Sequence, residues 1–91
     1  MSQAWIKALA FAALPGASKV RFERRFSNEN GTPTTNYKLT SLTADGTPMG
    51  DDRDYDLLKA ALGPLESLAE HEDLKDLIIE FDFENCMLHH L

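Results

Sequence analysis

The sequence contains one cysteine, Cys86. A lone thiol cannot close an internal disulfide, which excludes a disulfide-stapled secreted scaffold and points to a reducing compartment such as the cytoplasm. No apolar run approaches the roughly 18 residues that a membrane-crossing helix needs. Residues 1–17 have the outline of a secretory leader, with Lys7 followed by an apolar stretch, but the outline fails. Trp5 and Ile6 precede the only positive charge, the stretch is at minimum length, and Pro15 occupies a position that cleavage after Ala17 would reserve for a small residue. Cations are scarce in the second half, and neither a repeat nor a low-complexity tract nor a linker is present. Cofactor, metal and catalytic motifs are also missing in any complete form.

What remains is a chain of 91 residues, 43% hydrophobic and 26% charged, enough for one domain spanning residues 1–91. The net charge is −6, unevenly spread: residues 1–44 carry six Lys/Arg against two Glu, and residues 45–91 three against thirteen Asp/Glu. A domain this acidic repels phosphates, so nucleic acid is not the expected partner and a basic protein is.

The periodicities change along the chain. From Ser2, an acceptable N-cap, to Pro15-Gly16, an Ala-rich helix places Trp5, Leu9, Ala12 and Ala13 on one side with Ile6 and Ala10 beside them, a coverage that predicts a largely buried helix. Residues 19–26 alternate: Val20, Phe22 and Phe26 share a face interrupted by Arg24, and Lys19, Arg21, Glu23 and Arg25 share the other. Asn30-Gly31 predicts a hairpin turn into a second strand over 34–42, with Pro33 suited to an edge. Residues 43–50 read as a loop. Asp51, Asp52 and Asp54 crowd a helix start, after which Tyr55, Leu58, Leu62 and Leu57, Ala61 follow the 3.6 period. Gly63-Pro64 predicts a break or kink, with Leu65, Leu68, Ala69 and Leu74 on the inner side of a further helix and Glu66, Glu70 and Asp73 pointing outward. Residues 75–86 form the clearest strand, Leu77, Ile79, Phe81 and Phe83 alternating with Ile78, Glu80, Asp82 and Glu84. Residues 87–91 extend it, turn back at Glu84-Asn85 into a short strand, or fray. The expected fold is α+β: an antiparallel sheet of three to four strands with two to three helices packed on one face.

Each candidate chemistry has a structural competitor. Glu80, Asp82 and Glu84 stand at intervals of roughly 6.5 to 7 Å, near the spacing of an inverting glycosidase pair, but a convex strand face lacks the cleft that separates two carboxyl pKa values. If the first and last strands are neighbours, Lys19, Arg21 and Arg25 stand opposite these acids and neutralise them. Asp52-x-Asp54-x-Asp56 matches the opening of a calcium loop, yet Leu57 replaces its turning glycine and Gly63 its bidentate glutamate, so helix capping is preferred. Cys86, His89 and His90 are metal-capable types, with His71 the only other histidine, and fall short of a four-ligand site. Cys86 reads as a small filler at the sheet edge, and Phe22, Phe26, Tyr37, Phe81 and Phe83 as core residues in preference to a base-stacking platform.

The run Leu14-Pro15-Gly16 into Lys19-Val20-Arg21-Phe22-Glu23, the acidic helix, and the closing Leu77-Ile78-Ile79-Glu80-Phe81-Asp82-Phe83 together resemble small immunity proteins of bacterial polymorphic-toxin systems, loosely the YezG-like group. That resemblance implies an α+β protein without enzymatic activity or cofactor, residing in the producer's cytoplasm and binding one cognate toxin in interbacterial competition. Toxins that act on nucleic acids or nucleotides present electropositive active sites, which an acidic inhibitor reaches by steering and blocks by occlusion. Charge density nominates Asp51, Asp52, Asp54 and Asp56 in the loop-to-helix segment and Glu80, Asp82 and Glu84 on the sheet as the partner-binding residues. The expectation is therefore a toxin inhibitor with a protein partner, no nucleic acid and no membrane. A phage-encoded inhibitor such as an anti-CRISPR or nucleic-acid mimic is the alternative, and a small enzyme the third reading.

Overall fold

A computed structural model describes residues 3–72 and 76–91. The alternation that opens at Lys19 continues further than its apolar residues suggest: β1 runs Lys19–Glu29 and pairs along its length with β2, Thr32–Leu42. The turn between them is Asn30-Gly31, with φ of 54° and 79°, the doubly left-handed pair that matches strand twist in a two-residue hairpin. A third strand, β3 (Leu77–Asp82), pairs antiparallel with the other edge of β1 and only as far as Arg24, so the outer half of the hairpin stands as a two-stranded ribbon. β4, Met87–His90, pairs antiparallel with β3, and the sheet order is β2-β1-β3-β4. Pro33 lies on the edge strand β2, where a missing N–H removes no ladder bond.

The expected strand over 75–86 therefore ends at Asp82, residues 83–86 form a turn, and 87–90 return as the short extra strand, one of the alternatives open for the end of the chain. Asp82 makes the turn: its Oδ1 accepts the N–H of Glu84 (3.0 Å) and of Asn85 (3.3 Å), and its Oδ2 the Asn85 side-chain amide (2.9 Å). A carboxylate that captures the amides two and three residues on competes with continued pairing. Cys86 closes the turn, exposed and at φ 52°, and is not the edge filler its residue type suggested.

Two helices cover one sheet face. α1 spans Gln3–Ala12 and α2 Tyr55–Ala69; the expected Ser2 cap lies outside the described residues, as do Asp73 and Leu74. α1 buries Trp5, Ala8, Leu9 and Ala12, but Ala10 and Phe11 face solvent, so its burial is a stripe and not the wide coverage expected. α2 runs through Gly63-Pro64 as one helix, which corrects the predicted break and fixes the helix count at two among the described residues. The reason is local. Gly63 has no Cβ to meet the proline ring, and Ala60, whose carbonyl loses the Pro64 amide, is exposed to water.

The core lies between the helices and the inner sheet face. Trp5, Leu9, Ala12, Ala61, Leu65 and Ala69 meet Val20, Phe22, Leu77, Ile79 and Phe81, with Tyr37, Leu39 and Leu88 at the margin. Phe22 has ring neighbours on two sides, Trp5 at 6.0 Å and Tyr37 at 5.9 Å between centroids. Arg24 occupies the same inner face and is only 4% exposed. Its guanidinium donates to the carbonyls of Ala69, the last residue of α2 and also the acceptor of the Glu72 N–H, and of Glu72, just beyond the helix. The residue that interrupts the apolar pattern of β1 is thus the one that pins α2 to the sheet. Arg53, just before α2, ties the end of α1 to that segment, donating to Ala12 O at 2.8 Å.

Candidate functional site

The acidic residues separate into two groups once the register is known. On the outer sheet face, antiparallel pairing sets Arg21 opposite Glu80 and Lys19 opposite Asp82. Arg21 Nε and Nη2 both donate to Glu80 Oε2, at 3.0 and 2.8 Å, and Glu80 is 9% exposed. Asp82 is equally covered, and its turn bonds, led by the Asn85 side chain and aided by the charge of Lys19, hold its pKa below the ordinary carboxylate value. Glu23 pairs with Arg25 at 2.9 Å on the same face and stands opposite Lys38. By strand alternation that face carries four cations (Lys19, Arg21, Arg25, Lys38) and four anions (Glu23, Glu29, Glu80, Asp82) and is not an acidic surface. The cross-strand neutralisation foreseen from sequence is realised for Glu80 and Asp82. Glu84 remains exposed in the β3–β4 turn.

The segment leading into α2 is different. Asp51 is bound to Arg53, whose Nη2 approaches Oδ2 to 2.6 Å and whose Nε approaches both oxygens, a pairing that lowers the Asp51 pKa and raises that of Arg53. Asp54 is the N-cap of α2, accepting the Leu57 N–H at 2.8 Å. Asp52 and Asp56 project into solvent, Asp56 from the first helical turn. Of the seven acids expected to meet a partner, Asp51, Asp54, Glu80 and Asp82 are engaged in holding the fold, and Asp52, Asp56 and Glu84 stand open. The first two are neighbours on one segment; Glu84 belongs to the sheet end.

Counting by segment sharpens the contrast. Residues 51–76 hold nine Asp/Glu and three Lys/Arg, a balance of −6; the remainder holds six of each and sums to zero. The whole net charge of the protein therefore belongs to α2 and the chain on either side of it.

Exposed apolar side chains accompany that charge. Tyr55 and Leu57, expected in the core from their helical period, are 74% and 59% exposed, and Phe11 on α1 is 68% exposed. Only the middle and end of α2, through Ala61, Leu65 and Ala69, reach the core. A 3.6 period reveals that a helix has a face but not how far along its length the sheet extends beneath it. The sequence signal that could have found these residues is the pairing of large apolar side chains with adjacent aspartates in a first turn.

The other candidates come apart. Strand alternation sends His89 to the outer face opposite Glu80 and His90 to the inner face opposite Ile79, so they do not converge with Cys86. Among the described residues no three His, Cys, Asp or Glu side chains are grouped to hold a metal ion, and no helix is long and apolar enough to cross a membrane. Comparison of the chain with family models, with curated proteins and with solved structures finds no match in any of the three.

Proposed function

We propose that this chain is a cytoplasmic immunity protein that binds a cognate antibacterial toxin and blocks its electropositive active site. The observation that carries the reading is the confinement of all net charge to residues 51–76, with Asp52 and Asp56 exposed and without an ion pair among the described residues, beside large exposed apolar side chains. Ion pairs Arg21–Glu80 and Arg25–Glu23 match charges on the sheet, and the excess anions belong to the segment around α2. A partner with a cationic cleft is steered to that segment, and occlusion then requires no chemistry from the inhibitor. An interface of roughly 800 Å² per partner fits a domain this size. The resemblance to immunity proteins carried by Leu14-Pro15-Gly16 before an alternating strand and by the aromatic-acid run 77–83 supports the same reading.

Co-expression with the product of the adjacent gene tests it. The expected result is relief of that protein's growth inhibition and a complex that weakens as salt is raised. No protection and no complex at low ionic strength would end the proposal.

A further inference from the structure

Two helices lying side by side on a sheet leave a seam on their outer side. Here the seam is an apolar hollow of about 430 Å³, lined by Ala4, Lys7, Ala8 and Phe11 of α1 and by Pro64, Ser67 and Leu68 of α2. Phe11 stands at its rim, an aromatic ring of the kind that dominates buried contacts wherever it is covered. Helical geometry puts Leu57 on the stripe of Pro64 and Leu68, because steps of seven and eleven residues return to within about 20° of the starting direction. Phe11 and Pro64 line the hollow and Leu57 lies exposed on the same side of α2, with Asp56 next to Leu57 in the chain and Asp52 just before the helix.

The other hollows say less about what would fill them. One beside Tyr55, about 160 Å³, is smaller, and the Lys59 ammonium already lies 6.0 Å from the ring centre. One at the hairpin, lined by Phe26, Ser27, Asn28 and Pro33, belongs to the charge-balanced part of the chain and has no excess of either sign to select a partner. At the helix seam Lys7 is the one charged lining residue, and the charge that selects a partner lies beyond the hollow, at Asp52 and Asp56 by the start of α2. A second copy of this chain would bring its own −6 segment against the first, and like charges meeting at a desolvating contact oppose association.

We infer that the α1–α2 seam is a docking groove for an amphipathic, basic segment of another protein, whose apolar ridge enters the hollow between Phe11 and Pro64 while its flanking Lys or Arg side chains meet Asp52 and Asp56. This deepens the toxin-inhibitor reading and rests on it. The two kinds of residue have separate duties: the acids raise the association rate, and the apolar residues slow dissociation.

The test measures binding kinetics of the full chain to the product of the adjacent gene. Phe11→Ser combined with Leu57→Ser changes two exposed side chains and is expected to weaken binding on the order of tenfold or more, mainly through faster dissociation. Ala4→Trp, which fills the hollow from the exposed start of α1, is expected to produce the same loss and serves as a second route should the double variant fold poorly. Met87→Ser, at an apolar residue on β4 with 52% exposure, is expected to bind like the parent. Parental binding by a folded seam variant overturns the groove and leaves the toxin-inhibitor reading standing. Failure of the parent chain to bind removes that reading, and the groove with it.

Discussion

Outside residues 51–76 the chain carries six cations and six anions, and those on the outer sheet face are set against one another; inside that segment nine anions face three cations. The difference follows from the two kinds of backbone. Antiparallel pairing brings residues on neighbouring strands within about 5.5 Å, so an acid on β3 must face whatever β1 supplies, and β1 supplies Arg21 and Lys19. A helix on the outside of a two-layer fold imposes no such neighbour on its solvent face. Charge on the sheet is thereby committed to structure, and charge on α2 is left for other uses. Arg24 and Arg53 are the exceptions that tie the two regions together.

The largest effect is expected where that tie is cut. Arg24→Ala leaves the Ala69 and Glu72 carbonyls without this donor and opens a cavity under α2, for a loss of about 3 kcal/mol. Chemical denaturation measures the loss, and hydrogen exchange is expected to quicken first in the last turn of α2. A change below about 1 kcal/mol would mean that Arg24 does not couple the two layers.

Asp54→Ala comes next, removing the cap that holds the Leu57 amide at a cost of about 1 kcal/mol. Glu80→Gln is expected to cost about the same or less, because its partner Arg21 retains 39% side-chain exposure and water shares the charge. Glu80→Gln should leave partner binding unaltered if sheet charge is structural. Acid acts on the same residues. Asp51 and Asp82 have folded-state pKa values below the ordinary 3.8, so the stability they add is full above that value and is lost as pH falls through their lowered values. Asp82→Asn is expected to flatten the fall in stability between neutral pH and strong acid. An unchanged acid limb would show that the turn carboxylate does not contribute.

Much of this fold is readable from residue order. Asn30-Gly31 between alternating runs specifies the hairpin, and the opposed charges of β1 and β3 specify their pairing once the two are adjacent. Other features have no local signal. Arg24 reads only as a blemish on an apolar face because what it bonds to is a main-chain carbonyl 45 residues away, and carbonyls carry no sequence identity. Pro64 carries a strong breaker signal, which Gly63 and an exposed Ala60 carbonyl defeat. At the candidate site the acids were legible as a density, but which of the sheet acids are matched depends on strand order, which is not encoded nearby, whereas Asp51 is held by Arg53 only two residues on. Tyr55 and Leu57 follow a core period beyond the place where the core ends.

The smallest expected change in stability belongs to the pair that separates the two regions most cleanly. Asp52→Asn with Asp56→Asn removes two solvent-facing charges whose side chains make no hydrogen bond or ion pair among the described residues, so stability should stay within about 0.5 kcal/mol of the parent. Any shift should be slightly downward, since Asp56 sits at the positive end of the α2 dipole. Binding should respond far more: slower association, and a shallower dependence on salt because fewer charges are steered together. Glu80→Gln, which removes a charge already matched by Arg21, should do the reverse, lowering stability and leaving the salt slope alone. If both variants shifted the salt slope equally, the sheet charges would be as available to a partner as those on α2, and the division between structural and presented charge would fail.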